Sequence, residues 1–237
     1  LEVRGLSQDD MVRDVSFDLK KGEVLGIAGL MGSGRTELLE ALFGLRRISA
    51  GSIRVHGKDT SISGISDALA NKIALVPEDR RRSGLILIHS VRDNAALPVL
   101  SRLSRLGVLD KQRISGMVTA NIRDLAIKAG SASRVVSLLS GGNQQKVVIA
   151  KWLNTAPDIL LLDEPTAGVD VGSKGEIIDF IRSFTATGKS VILVSSEIAE
   201  LLAVSDRILV LNEGRITREL MREAISTEEE IQFAIQK

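Results

Sequence analysis

The chain contains no cysteine and no tyrosine among its 237 residues. The missing thiols exclude disulfides and thiolate metal sites, so non-covalent packing must hold the fold together. Aromatic residues make up only 3%, so the core must be built from Leu, Ile, Val and Ala, which the 44% hydrophobic content supplies. His56 and His89 are isolated and have no metal-ligand neighbours, which leaves them surface or structural roles. An excess of one charge is also missing: 31 basic and 30 acidic residues leave a net charge of +1. That balance argues against a general nucleic-acid surface or a polybasic membrane surface. No apolar run approaches the roughly 20 residues that span a bilayer, and the longest is broken by Asp163 and Glu164. No secretory leader pattern is visible, and the expectation is an intracellular protein. The first residue is Leu1 rather than Met, as expected of a domain cut from a longer protein or of a processed chain.

What is present is an alternation of strands and helices. "VRDVSFDLKKGEVLGIAG" reads as two strands around the turn Lys20-Lys21-Gly22, the second at Val24 to Ala28. A glycine-rich loop follows from Gly29, then a helix with Leu38, Leu39 and Leu42 on one face and Gly44 as C-terminal stop. "SGISDALANK" predicts a short helix and "IALV" a strand ending before Pro77. Residues from about 85 to 137 change to helical periodicity without a strong buried-strand run. Buried strands return at 158–163, 190–196 and 207–212. The tail "STEEEIQFAIQK" has the acidic start of a helix. The pattern predicts a mostly parallel α/β sheet with a helical insertion.

Three segments have the residue types of phosphate chemistry. In "GLMGSGRTELLEALFG" the glycines Gly29, Gly32 and Gly34 let backbone approach an anion at a helix start. In "LLSGGNQQKV" Ser140 is a helix N-cap, and Gly141 and Gly142 follow it. Adjacent glycines cost helix propensity, so their presence needs a reason such as close approach to a ligand. In "ILLLDEPTAGVD" a strand ends in two acids: Asp163 suits a water-mediated Mg2+, and Glu164 can orient or deprotonate an attacking water. Each segment alone also reads as an ordinary turn or capped helix.

Taken in this order, the segments resemble the nucleotide-binding domain of ABC transporters. Gly29–Thr36, with Ser33 inside it, is similar to the Walker A loop, and Leu139–Asn143 to the family signature. Residues 160–166 resemble Walker B with its catalytic glutamate, and 167–170 the D-loop that ends at Asp170. "VPEDR" falls at the glutamine loop and "VSSE" at the switch-histidine segment. The motifs most resemble the C-terminal half of the tandem ATP-binding subunit of monosaccharide importers, ribose type; related halves serve nucleoside and autoinducer importers.

The resemblance implies a RecA-like phosphate-loop NTPase core with an N-terminal antiparallel β portion and a helical ABC insertion. It implies one such domain over 1–237, with ATP and Mg2+ as cofactors and Thr36 and Asp163 on the metal. Its implied partners are an N-terminal ABC domain of the same protein and membrane permease subunits. Nucleic acid is not a partner, sugar is bound only by other subunits, and the place is the cytoplasmic face of the inner membrane.

Departures from the family pattern are informative. Arg35 stands where a lysine reaches the β/γ-phosphates, Glu37 replaces a hydroxyl residue, Glu78 replaces a glutamine, and Ser196 stands at the switch histidine. An added negative charge about 6 Å from a phosphate, at an effective dielectric near 20, costs roughly 3 kcal/mol. No aromatic lies between Leu1 and Val15 to stack on adenine. The expectation is a domain whose own ATP site is degenerate in hydrolysis. Its signature (Ser140, Gly141, Gly142 and Asn143) is intact and completes the partner's site in trans. A non-hydrolysing regulatory half-site is the alternative. Arg80-Arg81-Arg82 is expected to be a solvated loop, with contact to phosphates or a partner as the alternative, and Trp152 a core residue.

Overall fold

A computed structural model describes residues 1–9, 11–105, 107–225 and 227–236. In chain order the elements begin with β1 (Glu2–Gln8), β2 (Val12–Asp18), β3 (Val24–Ala28), α1 (Arg35–Leu42), β4 (Ala50–Val55), β5 (Lys58–Thr60), α2 (Ile65–Ala70) and β6 (Ile73–Val76). The middle holds α3 (Val91–Ala96), β7 (Ser104–Arg105), β8 (Val108–Leu109), α4 (Lys111–Asp124) and α5 (Gly141–Leu153). Then come β9 (Ile159–Asp163), α6 (Val171–Ala186), β10 (Ser190–Val194), α7 (Ile198–Val204), β11 (Arg207–Asn212), β12 (Arg215–Met221) and α8 (Glu228–Gln236). They divide into two units: Leu1–Leu75, Asp158–Glu164 and Ile181–Lys237 form the first; Val76–Pro157 and Pro165–Phe180 form the second.

The first unit contains an antiparallel four-stranded sheet in the order β2-β1-β4-β5. Its larger sheet runs β12-β11-β3-β10-β9-β6. Strands β11, β3, β10 and β9 pair in parallel, and β12 returns antiparallel. Glu213 and Gly214, both at positive φ, make the two-residue turn between β11 and β12, a geometry that matches strand twist. Every residue of β3, β9 and β10 is buried, as expected of parallel strands covered on both faces. Leu160, Leu161 and Leu162 have no exposed surface, and each such side chain contributes roughly 1.5–3 kcal/mol by burial.

Register sets the functional edge. Val194 of β10 pairs with Asp163 of β9, and Ile27 of β3 with Val194. The loop from Gly29, Glu164 and the Ser195-Ser196 step therefore all leave the same carboxyl edge, where open α/β sheets bind ligands. The strands predicted around 158–163, 190–196 and 207–212, the helix after the glycine loop, and the C-terminal helix all form.

The second unit is mainly helical, built on α3, a 3₁₀ turn (Leu97–Leu103), α4, α5 and the start of α6. Within it α5 packs on α3. The short β7–β8 hairpin has no counterpart in the sequence reading, since two-residue strands leave no periodicity to detect. Among the described residues, no helix is long and apolar enough to cross a membrane.

Candidate nucleotide half-sites

The first unit holds the glycine loop and the two acids, Asp163 and Glu164, that resemble Walker B. Gly34 takes φ 99° at the start of α1, and no side chain caps that helix. A Cβ at Gly34 would lie 2.3 Å from the Met11 carbonyl oxygen, so only glycine lets the loop close there. The uncapped N–H groups of α1 and the turn before it form the anion-facing end of the loop. Ser33 is buried, and its hydroxyl has no protein partner. Thr36 is half-buried, and Asp163 is only 2% exposed at the strand end.

Arg35 does not extend along the loop. Its guanidinium donates to the Ser195 carbonyl at 3.3 Å and to the Ser196 hydroxyl at 3.2 Å. It also lies 3.5 Å from a carboxylate oxygen of Glu164. Ser196 donates its backbone N–H to the other Glu164 oxygen at 3.0 Å and its hydroxyl to the first at 2.5 Å. The lysine-position, glutamate and histidine-position residues thus meet in one closed cluster. Both charged side chains are largely shielded, at 9% and 13% exposure, where an ion pair is least screened. Glu164 takes φ 44°, a conformation that carries strain for a non-glycine residue. Each carboxylate oxygen of Glu164 accepts a bond from Ser196, so a water oriented there would share the carboxylate with Ser196 and Arg35.

Glu37, in the first turn of α1, lies 3.9 Å from Arg46. Arg46 also bonds Glu40 at 2.5 Å, and that bond, before the nearby charge of Glu37, holds the guanidinium above its ordinary pKa. The roughly 3 kcal/mol penalty expected for Glu37 beside a phosphate is therefore partly offset by a neighbouring cation. Arg46 was not among the residues singled out by motif, because it stands nine positions beyond Glu37 and only the turn after α1 brings it back.

The residues fit ATP and Mg2+ in part. Backbone donors, the unpartnered Ser33 hydroxyl, Thr36 and Asp163 suit phosphate and a cation that keeps most of its other ligands as water and phosphate oxygen. Among the described residues no cluster of three His, Asp or Glu could hold a metal alone. An extended ammonium toward the β/γ-phosphates is the piece that Arg35, turned toward Glu164, does not supply.

The second unit holds the signature. Ser140 caps α5 from extended backbone. Its hydroxyl accepts from the Asn143 side-chain amide at 2.8 Å, while the Asn143 carbonyl oxygen accepts from the Lys128 backbone N–H at 2.7 Å. Both ends of the Asn143 amide are thus engaged inside the unit, and Ser140 is the exposed member. The glycine pair has a reason within the fold. A Cβ on Gly142 would lie 2.3 Å from the Ser173 hydroxyl, and one on Gly141 2.8 Å from Arg80 Nη2. Asp170 caps α6, accepting from the Ser173 N–H at 3.0 Å and hydroxyl at 2.9 Å. The Ser173 N–H bond, first among the causes, lowers the Asp170 pKa. Glu78 is exposed. Of the arginine run, Arg81 and Arg82 are exposed as expected of a solvated loop, but Arg80 is not: it bonds the D-loop backbone. Trp152 is half-buried.

Solved structures share this fold. The dimeric post-hydrolysis structure of the ATP-binding cassette MJ0796 bound to ADP and Pi matches with TM-score 0.80 at 22% identity, covering 93% of this chain and 98% of that one. A nucleotide-free cassette from an ABC transporter matches with TM-score 0.79 at 21% identity, over 100% and 94% of the two chains. A P-loop cassette fold is therefore the class to which the sheet, loop and helical unit conform. The ABC transporter family profile matches residues 12–167, and the chain belongs to that family. It is similar to a putative ribose/galactose/methyl galactoside import ATP-binding protein of Burkholderia ambifaria, 48% identical over 100% of this chain and 46% of the relative. The ribose import ATP-binding protein RbsA of Chromobacterium violaceum is 48% identical over 91% of this chain and 43% of the relative. The chain spans about half the length of these curated relatives.

Proposed function

We propose that this chain is the C-terminal ATP-binding domain of a monosaccharide importer of ribose type, acting at the cytoplasmic face of the membrane. Its main catalytic contribution is made in trans. Ser140 and the backbone N–H groups at Gly141 and Gly142 complete an ATP site whose phosphate loop belongs to the N-terminal domain of the same protein. The observation behind this reading is the contrast between the half-sites. In one, Arg35 and Ser196 occupy the oxygens of Glu164. In the other, Ser140 stands exposed on a braced helix start. Bound nucleotide would supply the phosphates and, with Mg2+ near Thr36 and Asp163, the electrophilic centre. The chain's own residues would orient that nucleotide, while Glu164 stays engaged and hydrolysis there stays slow. Phosphoryl transfer depends chiefly on positioning and electrostatic stabilisation, so an engaged carboxylate and an absent lysine weaken it together.

The experiment is ATPase measurement on this chain alone and joined to its N-terminal half. The expected result is near-background turnover alone and a rise of about 100-fold or more on joining, the scale of positioned-donor effects. Equal turnover in both forms would overturn the trans reading.

The same cluster favours a second reading, a regulatory half-site that binds nucleotide and never turns over. Single-turnover hydrolysis by the isolated chain, with Glu164→Gln as control, separates it from a slow enzyme.

A groove of about 740 Å³ in the second unit suits the permease partner. Ile88, Leu97, Leu100 and Leu109 give it apolar surface, and Arg92 and Lys111 stand at its polar side. Leu97 is 39% exposed, so Leu97→Asp should leave the melting temperature nearly unchanged. Its expected effect is to uncouple sugar uptake from ATP in vesicles. Unchanged uptake would remove this groove from the interface.

A further inference from the structure

The D-loop of this chain is held by Arg80, the last residue of the "VPEDR" segment. Arg80 Nη1 donates to the Ala167 carbonyl at 2.7 Å and Nη2 to the Gly168 carbonyl at 3.1 Å. Asp79 sets the approach, its carboxylate accepting the backbone N–H groups of Arg81 and Arg82 at 3.0 Å each and winding Arg80–Gly84 into a wide helical turn. The guanidinium is half-buried. Its Nε is buried without a protein partner, and burial is the largest influence lowering its pKa. Beyond the D-loop lies the signature: a Cβ on Gly141 would meet Arg80 Nη2 at 2.8 Å and the Gly168 carbonyl at 3.0 Å. At the far end of the same loop, Asp170 is tied to Ser173, against which Gly142 packs.

We propose that Arg80 is a positioning residue that locks the D-loop to the start of the signature helix, so that Asp170 and Ser140 present one rigid face to a nucleotide held by the partner domain. Two charge-assisted bonds from one planar fork fix two successive carbonyls, which a single ammonium does not reproduce. Arg80 stands two residues beyond Glu78, on the same short connection after β6. A displacement at Glu78 is thereby passed to both motifs together, rather than to either alone. This inference rests on the trans reading of the signature.

The test is Arg80→Lys and Arg80→Gln in the full-length protein assembled with its permease, with hydrogen exchange of the 166–170 amides measured beside steady-state ATPase. Both variants should exchange those amides faster and lose about tenfold or more in kcat, with KM for ATP within about twofold and melting unchanged, since small misplacements alone cost that much. Exchange unchanged at 166–170 would overturn the clamp. Faster exchange with kcat within about twofold of the parent would overturn the positioning role. A kcat loss that tracks a fall in melting temperature would do the same. Failure of the trans reading shows separately, as a Ser140→Arg protein that keeps its ATPase.

Discussion

Ser140→Arg is expected to reduce the ATPase of the full-length protein by about 100-fold or more, the scale on which lost oxyanion-type donors act. Ser140 is exposed at the start of α5 and is held in place by the Asn143 amide at 2.8 Å. Its hydroxyl and the N–H groups behind it are the surface proposed to meet the partner's nucleotide. An arginine there fills that space and sets a cation against the positive end of a helix. The fold should survive, because losing an N-cap costs about 0.5–2 kcal/mol, which a melting curve will register as a small shift. In the same protein Glu164→Gln should lower turnover by less than about threefold, because that carboxylate is already committed to Ser196 and Arg35. A large loss for Glu164→Gln with a small one for Ser140→Arg would reverse the assignment of the two half-sites.

Turnover should reappear in the Ser140→Arg protein when Arg35→Lys and Ser196→His are added together, by about tenfold or more over that silenced background. The expectation follows from the closed cluster. Arg35 and Ser196 are complementary to each other and to Glu164: the arginine donates to the serine hydroxyl, which donates to the carboxylate. Lysine is a compact, flexible ammonium that can follow the phosphates instead of forking across two partners. Histidine removes the short hydroxyl contact. Glu164 would then keep the Ser196 backbone N–H and free an oxygen for water. Adding Glu164→Gln should abolish the gain. Either single substitution should give less than the pair, since groups acting as a unit are not additive. No gain from the pair, with nucleotide binding intact, would show that more than this cluster separates the site from hydrolysis.

These experiments bear on a general feature of paired sites. In the proposed degenerate half-site, a glutamate without the lysine and histidine would be a shielded anion short of donors, which is costly. The replacements present here satisfy it with an arginine and a hydroxyl. Glu37 follows the same logic: its charge at the start of α1 is balanced by the dipole and by Arg46. The departures are thus mutually consistent rather than scattered, and the two largest of them converge on one residue.

Much was legible before any coordinate. Buried runs such as "ILLLD", the glycine stops and the order of three motifs determined the α/β class and the functional edge, because these signals are local and periodic. The list of departures was also readable, since motif positions are counted along the chain. Where Arg35 points was not, because a long side chain chooses among partners 160 residues away, at Ser195 and Ser196, that only the pairing of β3, β10 and β9 brings within reach. Likewise Arg80 looked like one of three solvated arginines. For Gly141 and Gly142 the sequence offered approach to a ligand as the reason, and the fold adds a second one beside it. The fold shows that Arg80 and Ser173 already claim that space. Sequence by itself determined which chemistry the residues can do. Tertiary structure alone decided which partners they spend it on, because hydrogen bonds and charge pairs act over a few ångströms and sequence distance says nothing about those.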